Sequence, residues 1–270
     1  MLIILFIFII GLIIGSFLNV VIWRLHSNES IISGRSQCSQ CKTKLKAKDL
    51  VPLVSFIVLR GKCRYCQKPI SWQYPLVELA TGLLFVLVYL VNLQLPVIGL
   101  QSSDIFFAPA ATPTQLLKFF RDIFLVSVLT IIFVYDLRWQ LIPDQVTIPS
   151  IVLLFVFSLL LGQSLGSLVF AVLVGFGFFG LQYWVSSGRW IGGGDLRLGA
   201  LMGAALGWPL LIVGLLAAYI VGAAVSVVLL VSGKAQAKTP IAFGTFLALG
   251  TLVALFWGEK IINWYFGLLS

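Results

Sequence analysis

The long apolar runs of this chain decide what it can fold into. The first run, from Met1 to Trp23, contains no charged side chain. A run of this length spans a membrane as a helix, because lipid offers no hydrogen-bond partner to an exposed backbone amide. No cationic segment precedes it and no small-residue cleavage site follows it, so we expect a retained span and not a cleaved signal peptide. With 60% hydrophobic and 10% charged residues, the chain is not an ordinary soluble domain.

Hydropathy predicts an all-α, polytopic membrane protein with about eight transmembrane helices. The predicted spans are residues 2–23, 74–95, 117–136, 145–162, 165–187, 194–207, 209–232 and 241–266. The sixth span is short for a hydrocarbon core of about 30 Å. It is predicted either as a half-helix or as a helix that continues into its neighbour around Pro209.

The positive charges indicate how the spans are oriented. The net charge is +9, and ten of the 18 Lys and Arg residues lie between Arg24 and Lys68. A basic loop of this kind stays in the cytoplasm, where it also attracts anionic lipid head groups. Fifteen cations then lie inside and three outside, both termini face outward, and residues 96–116 form an external loop. Topology therefore explains the charge, and no nucleic-acid partner is expected.

All four cysteines lie in the polar segment 24–73, hereafter the cysteine segment. They form Cys38-x-x-Cys41 and Cys63-x-x-Cys66, separated by 21 residues. Two such pairs at this spacing predict a tetrahedral Zn²⁺ site in a small cytoplasmic loop. A disulfide framework is the alternative, and a reducing cytoplasm disfavours it. Four thiolates leave no open coordination position, so the predicted metal has a structural role.

Acidic side chains inside spans are costly and therefore need an explanation. Three of the nine acidic residues lie in predicted loops, namely Glu29, Asp49 and Asp104. Two more, Asp122 and Glu259, lie near outer helix ends beside Arg121 and Lys260, where we expect them to be solvated or paired. The acidic residues that call for a function are Glu78, Asp136, Asp144 and Asp195.

Asp136 and Asp195 are the predicted catalytic pair. Asp136 ends the third span, and Asp195 opens the sixth after three glycines, so both lie at cytoplasmic helix ends. Two neighbouring carboxylates share one proton. One can then activate water while the other protonates the carbonyl or the leaving amine.

Each of these aspartates also has a structural interpretation. Asp195 could cap the sixth span, and Asp136 could form a salt bridge with Arg138 or Arg189. For Asp144, which follows Pro143 at the start of the fourth span, helix capping is the preferred interpretation.

Several motifs, taken in order, resemble those of the type IV prepilin peptidases. The first runs from Gly11 to Arg24 (GLIIGSFLNVVIWR) and is followed by the two CxxC pairs. The next runs from Ile70 to Gly82 (ISWQYPLVELATG). The two aspartate motifs are Asp136 to Asp144 (DLRWQLIPD) and Gly192 to Leu198 (GGGDLRL), the latter of the GxGD type. The resemblance covers nearly the whole chain.

This resemblance implies a bifunctional enzyme of the bacterial inner membrane. Asp136 and Asp195 would cleave the leader of pilin or pseudopilin precursors at the cytoplasmic face. The same enzyme would then methylate the new N-terminal residue with S-adenosylmethionine. The implied organisation is a methyltransferase part with the zinc loop, residues 1–98, and a six-span aspartic protease domain, residues 117–270.

One departure from the family pattern lies before the last span. The family usually has a proline on either side of Phe-Gly, whereas this chain has Ala242 and Thr245 around Phe243-Gly244 in the stretch after Pro240. We expect the replacements to alter substrate docking and to leave the aspartate pair untouched.

The methyl-donor site is predicted from polar residues near the cysteine segment, namely Glu78, Asn19 and Arg24. A carboxylate can bind a ribose hydroxyl or the sulfonium charge. The alternative for Glu78 is an ion pair with Arg24 or a loop lysine. Gly11 and Gly15 form a GxxxG pattern, which is also a general helix-packing feature. His26, the only histidine, is predicted to be an exposed loop residue.

Three other functions are compatible with parts of the sequence. A proton-coupled transporter also uses carboxylates and glycine-broken helices, but needs an acidic pathway to both membrane faces. An assembly scaffold with a zinc docking module leaves the intramembrane aspartates unexplained. A presenilin-like protease shares Tyr-Asp and GxGD, but the N-terminal and cysteine motifs favour the prepilin peptidases.

Overall fold

The computed structural model describes residues 2–31, 34–93, 112–233 and 242–268. These residues form nine α-helices, one 3₁₀ turn at Ala47–Asp49 and isolated β-bridges, without a strand. The helices are α1 (Leu2–Ser27), α2 (Val54–Val58), α3 (Gln73–Asn92), α4 (Pro113–Trp139), α5 (Asp144–Leu160), α6 (Leu165–Ser186), α7 (Gly193–Leu206), α8 (Leu210–Val231) and α9 (Phe243–Gly267).

The all-α, polytopic prediction is confirmed. Each of the eight predicted spans corresponds to one helix, and α2, with five residues, is an additional one. Five of the described helices, α1, α3, α6, α8 and α9, are by themselves long and apolar enough to cross a membrane. Of the other three, α5 has 17 residues, α7 has 14, and α4 carries charged residues at both ends.

Some boundaries differ from those predicted. α1 continues to Ser27, so the start of the cysteine segment is helical, and α4 already begins at Pro113, within the predicted external loop. The remainder of that loop, residues 96–111, lies outside the described residues. α7 ends at Leu206 and α8 begins at Leu210, so the sixth and seventh spans are separate helices.

The chain forms two compact units, Met1–Ile131 and Ile132–Ser270, and α4 contributes to both. The predicted division into functional parts, 1–98 and 117–270, stays a prediction. In the first unit, α1 and α3 pack along their lengths.

Glycines make this packing of α1 and α3 possible. A Cβ on Gly11 would lie 2.7 Å from the Gly82 Cα, and one on Gly15 would lie 2.8 Å from the Glu78 Cα. The GxxxG pattern therefore brings two backbones together, as small residues do in membrane helices.

A buried polar contact joins α3 to α4 in the same unit. The Asn92 side chain donates to the Asp122 carboxylate at 2.7 Å, and Arg121 pairs with Asp122 at 2.6 Å. The predicted pairing of Asp122 is therefore present, although the residue is only 2% exposed and not solvated.

In the second unit, α7 is the central helix and packs on α5, α6, α8 and α9. Its residues from Leu198 to Leu206 are all buried. The approach to α6 is very close, because a Cβ on Gly199 would lie 2.4 Å from the Gly175 carbonyl oxygen and one on Gly203 would lie 2.5 Å from the Ala171 carbonyl oxygen.

This close approach predicts different responses at two glycines. We expect Gly199→Val to destabilise the protein by roughly 1–3 kcal/mol or more, since added methyl groups would separate α6 from α7. Gly177→Val is the matched control, because a Cβ at Gly177 meets no atom within 4 Å. Thermal unfolding of both variants in detergent checks this, and equal midpoints would contradict the packing argument.

Candidate active site and metal centre

Asp195 lies in the first turn of α7. Gly192 is the N-cap residue with an extended backbone, and Asp195 occupies the third helical position. Its Oδ2 accepts a hydrogen bond from the Gly192 N–H at 3.1 Å. The residue therefore does not occupy the N-cap itself, although its charge is favourable at this end of the helix. Its side chain is buried, with the residue 7% exposed.

Asp136 is buried in the last turn of α4. Its Oδ2 accepts a hydrogen bond from the backbone N–H of Thr245 at 2.8 Å. Among the described residues it forms no ion pair, so the alternative of a salt bridge with Arg138 or Arg189 is wrong. The Arg189 side chain donates instead to the Ser186 carbonyl oxygen.

Ile142 lies between the two aspartate-bearing segments. A Cβ on Gly194, next to Asp195, would lie 2.9 Å from the Ile142 side chain. A Cβ on Gly244 would lie 3.0 Å from the same side chain and 2.9 Å from Asp136 Oδ2. The two carboxylates are close enough for their charges to repel. The second unit thus brings the predicted pair together, with glycine backbone on both sides.

Asp144 has a different partner from the one predicted. It is the first residue of α5, but its side chain caps no N–H there. Instead, Arg197 Nη1 donates to its carboxylate, and both side chains are partly exposed. The capping interpretation is therefore corrected to an ion pair that joins the starts of α5 and α7.

The departure at Thr245 does reach the aspartate pair. We expected Ala242 and Thr245 to leave the pair untouched, but the Thr245 N–H is the donor that holds Asp136. The Thr245 hydroxyl donates to the Ala242 carbonyl oxygen at 2.6 Å. Sequence reasoning missed this contact because a backbone N–H leaves no residue signature. Pro240 itself lies outside the described residues.

An aromatic cluster adjoins this site and was not predicted. The rings of Tyr219 and Phe243 lie 5.0 Å apart, centre to centre, and Phe178 and Phe179 extend the array. The Tyr219 hydroxyl donates to Gln182 at 3.2 Å. Phe243 directly precedes Gly244, so these rings form an apolar wall next to the carboxylates.

The four cysteines of the first unit form one cluster. Their sulfur atoms all lie within 4.8 Å of one another, and those of Cys38 and Cys66 are 4.0 Å apart. Four thiolates at about 2.3 Å around a tetrahedral Zn²⁺ lie ~3.8 Å from one another. The donor set and its spacing therefore fit zinc.

The two CxxC pairs have the same backbone design. The Cys38 N–H donates to the Thr43 carbonyl oxygen at 3.0 Å, and the Cys63 N–H donates to that of Lys68 at 2.9 Å. In each turn the residue after the second cysteine has a positive φ, 59° at Lys42 and 58° at Gln67. Such values are uncommon outside glycine. Each pair is thus a tight knuckle that directs two sulfurs to the same point.

The thiols differ in acidity. Hydrogen bonds with the Thr43 side chain and backbone lower the pKa of the Cys41 thiol to about 6. A backbone hydrogen bond from Lys68 lowers the pKa of Cys66, but desolvation and the three other cysteine side chains outweigh it and raise that pKa to about 11. Four neighbouring thiols whose pKa values are shifted in this way are suited to bind a metal cation, which displaces the thiol protons.

Asp49 fastens the two knuckles together, a role that the sequence did not indicate. Its carboxylate accepts hydrogen bonds from Arg64 Nε at 2.7 Å and the Tyr65 hydroxyl at 2.9 Å, both in the second knuckle. It also accepts one from the Lys46 N–H, just after the first knuckle.

The predicted methyl-donor residues lie partly together. Asn19 is buried between α1 and α3, where it donates to the Tyr74 carbonyl oxygen at 3.1 Å and accepts from the Gln73 side chain. Glu78 lies on the same interface. Arg24 turns away to three loop carbonyls, those of Ser30, Ile31 and Gly34.

Glu78 also anchors the cysteine segment. Its carboxylate accepts a hydrogen bond from the Leu53 N–H at 2.8 Å. Glu78 forms no ion pair among the described residues, so the alternative of a pair with Arg24 or a loop lysine is wrong. Leu53 has φ 58° and ψ −47°, and the next N–H bonds to the Pro52 carbonyl oxygen. This is a strained γ-turn, held in place by the Glu78 carboxylate.

The same interface retains an unused acceptor. The Gln73 side-chain oxygen is buried without a hydrogen-bond partner among the described residues. Together with the Glu78 carboxylate it suits a ligand with donor groups or positive charge. These are features of S-adenosylmethionine, whose ammonium and hydroxyl groups donate hydrogen bonds and whose sulfonium is cationic. The residues present therefore fit the predicted methyl donor.

The fold is that of a polytopic membrane protein, and the carboxylate pair is a candidate centre for aspartic hydrolysis. Residues 9–92 match the model of the bacterial peptidase A24 N-terminal domain, and residues 123–227 match that of the type IV leader peptidase family. The chain belongs to this peptidase family.

Curated relatives extend the similarity over almost the full length. The prepilin leader peptidase/N-methyltransferase of Aeromonas hydrophila is 34% identical, with 96% of this chain and 92% of the relative covered. The protein of the same name from Bacillus subtilis is 30% identical, with 96% of both covered. That of Pseudomonas aeruginosa is 31% identical, with 95% and 91% covered. No solved structure matches significantly.

Proposed function

We propose that this protein removes the leader peptide from type IV prepilin-like precursors and methylates the new N-terminal amine. The supporting observation is the pair Asp136 and Asp195, which one compact unit brings together. Among the described residues, Asp136 accepts a hydrogen bond from the Thr245 N–H and Asp195 accepts one from the Gly192 N–H. Their unused oxygens are available for water and a shared proton. The names of the full-length relatives support the same two activities.

The reaction of the pair follows from one shared proton. The ionised carboxylate takes a proton from water, whose oxygen adds to the peptide carbonyl carbon while the protonated carboxyl gives its proton to the carbonyl oxygen. The tetrahedral intermediate then collapses, the C–N bond breaks, and the proton taken from water passes to the leaving amine. One hydroxyl of the intermediate returns its proton to the other carboxylate as the new carboxyl group forms, which restores the shared proton. Glycines 194 and 244 let a peptide backbone approach, since no side chain intervenes.

The methyl-transfer site is proposed at the α1–α3 interface. S-adenosylmethionine supplies an activated methyl group when bound. Glu78 and the Gln73 oxygen would accept hydrogen bonds from it, and Asn19 would orient the Gln73 side chain. Arg24 would contribute indirectly, through its hydrogen bonds to the loop carbonyls of Ser30, Ile31 and Gly34.

The proposed metal is zinc, held by Cys38, Cys41, Cys63 and Cys66. When bound it neutralises thiolate charge and links the two knuckles. Its role is structural, because the four sulfurs complete the coordination shell.

We place the protein in the bacterial inner membrane with the cysteine segment in the cytoplasm, on the distribution of Lys and Arg. Membership of the leader peptidase family favours this function over a transporter or a scaffold. It also favours prepilin-like substrates over those of a presenilin-like protease.

Mass spectrometry of a prepilin mixed with the purified protein in detergent tests the proposal. Without S-adenosylmethionine we expect a leader-free product, and with it a product heavier by one methylene group. An intact prepilin in both reactions, from protein that unfolds cooperatively, would contradict the proposed peptidase.

The shared proton makes cleavage dependent on pH. The rate should fall in both acid and alkali, because one proton must be present and one absent. The two apparent pKa values belong to the pair and not to either residue. A pH–rate profile with saturating prepilin measures this, and Asp195→Glu should change its shape. A flat profile, with chemistry rate-limiting, would exclude the mechanism.

A further inference from the structure

The first turn of α9 donates a backbone hydrogen bond to the carboxylate of Asp136. The first N–H groups of a helix have no acceptor within the helix, and the N-cap residue of α9, Ala242, has no side chain that could accept one. The Thr245 N–H, at the third helical position, donates to Asp136 instead. A carboxylate from another helix thus replaces the missing cap, in a position where the helix dipole favours negative charge.

The contact depends on the backbone of Thr245 and not on its side chain. The hydroxyl is already bonded to the Ala242 carbonyl oxygen. Thr245 and Asp136 are each only 4% exposed, so water has little access to replace the donor. A residue without an N–H at this position would remove the hydrogen bond from Asp136 Oδ2.

We propose that the Thr245 N–H is a positioning group of the peptidase reaction, which fixes Asp136 Oδ2 and favours the ionised carboxylate. This inference rests on the proposed function. A hydrogen bond to the charged form of an acid favours that form. Proline, the usual residue of the family pattern here, has no N–H. The wild-type chain should therefore stay active at lower pH than the same chain with proline at 245.

Few other charged groups bear on Asp136 among the described residues. Asp195 faces it from α7. α9 contributes Gly244 and Thr245, and the turn before α5 contributes Ile142, none of which titrates. Arg138 follows on the same helix and lies over the Trp139 ring, 5.7 Å from its centre. Tyr219 of α8 is a further titratable group, close enough to Asp195 to feel the charge of that carboxylate.

The test compares pH–rate profiles of prepilin cleavage by full-length variants. For Thr245→Pro we expect the acid limb to move up by roughly one pH unit. Thr245→Ala keeps the N–H and loses the hydroxyl, so its acid limb should stay at the same pH as that of the wild type. Asp136→Asn is included to report on the proposed function separately.

The proline variant is expected to fold. Proline is tolerated in the first turn, where no intrahelical hydrogen bond is lost. Proline also restricts the backbone conformation of the residue before it, but this restriction is weaker here because Gly244 has no Cβ. If unfolding midpoints show damage, lactic acid at position 245, introduced by nonsense suppression, replaces the N–H with an ester oxygen and is matched to Thr245→Ala.

The possible results distinguish a failure of this inference from a failure of the proposed function. Shifted profiles for the proline and ester variants, with an unshifted alanine variant, support the inference. Profiles equal to the wild type, with Asp136→Asn inactive, overturn the inference and leave the peptidase assignment in place. A shift in Thr245→Ala would assign the effect to the side chain and also overturn it. An active Asp136→Asn would remove the proposed dyad itself.

Discussion

Asp136→Asn and Asp195→Asn should each reduce prepilin cleavage by about a thousandfold or more, while the protein remains folded and inserted. General acid–base groups contribute about 10²–10⁴ in rate, and an amide can neither take up nor supply the shared proton. An Asn side chain has nearly the same shape and an oxygen that still accepts a hydrogen bond. The contacts with Thr245 and Gly192 can therefore persist.

Asp144→Asn is the matched control for this prediction. It makes the same chemical change in a carboxylate of the same unit, but one that is paired with Arg197 at a solvent-accessible position. Exposed ion pairs contribute only about 0–1 kcal/mol, so we expect substantial activity. Cleavage by purified variants, measured beside their unfolding midpoints, decides the assignment. If Asp144→Asn were inactive and Asp136→Asn active, Asp144 would belong to the pair in place of Asp136.

Replacing Cys38 and Cys41 with Ser should remove bound zinc and loosen the cysteine segment. The remaining two sulfurs cannot complete a tetrahedral shell, and the free energy of binding structural zinc is also free energy of folding. Elemental analysis should fall from about one zinc per chain to none, and limited proteolysis should cut within residues 38–66. Methylation should decline more than cleavage, because the proposed methyl-donor site shares the first compact unit with the cysteines.

Ser39→Ala is the control within the same knuckle, because it alters an exposed residue between the two cysteines. It should retain zinc, resistance to protease and methylation. Wild-type protein that is well folded and contains no zinc would end the metal assignment. Loss of zinc with unchanged methylation would keep the metal site but separate it from methyl transfer.

The helices could be predicted because membrane spans are set by length and apolarity. Their ends could not be predicted as well, since the span predicted at residues 117–136 is a helix from Pro113 to Trp139. The pairing of Asp122 with the adjacent Arg121 has a local signal, but the hydrogen bond from Asn92 to Asp122 depends on tertiary packing and has none.

At the candidate sites, the sequence indicated the functional side chains but not the backbone groups that contact them. The two aspartates and four cysteines are residue types that suit the predicted chemistry and lie in specific motifs, so the sequence indicated them. The donor to Asp136 is an N–H, which every residue except proline carries. Asp144 was assigned to capping from local position, whereas its partner Arg197 lies 53 residues away along the chain.

The shortness of α7 has a consequence for how the enzyme would respond to its bilayer. Fourteen residues of helix extend about 21 Å, which is less than the hydrocarbon thickness of about 30 Å. A lipid-facing helix of that length would experience hydrophobic mismatch and would thin the bilayer or tilt. α7 is instead enclosed by α5, α6, α8 and α9, with ten of its residues buried. The depth of Asp195 is therefore fixed by its helical neighbours, and changes in acyl-chain length should leave it in register with Asp136.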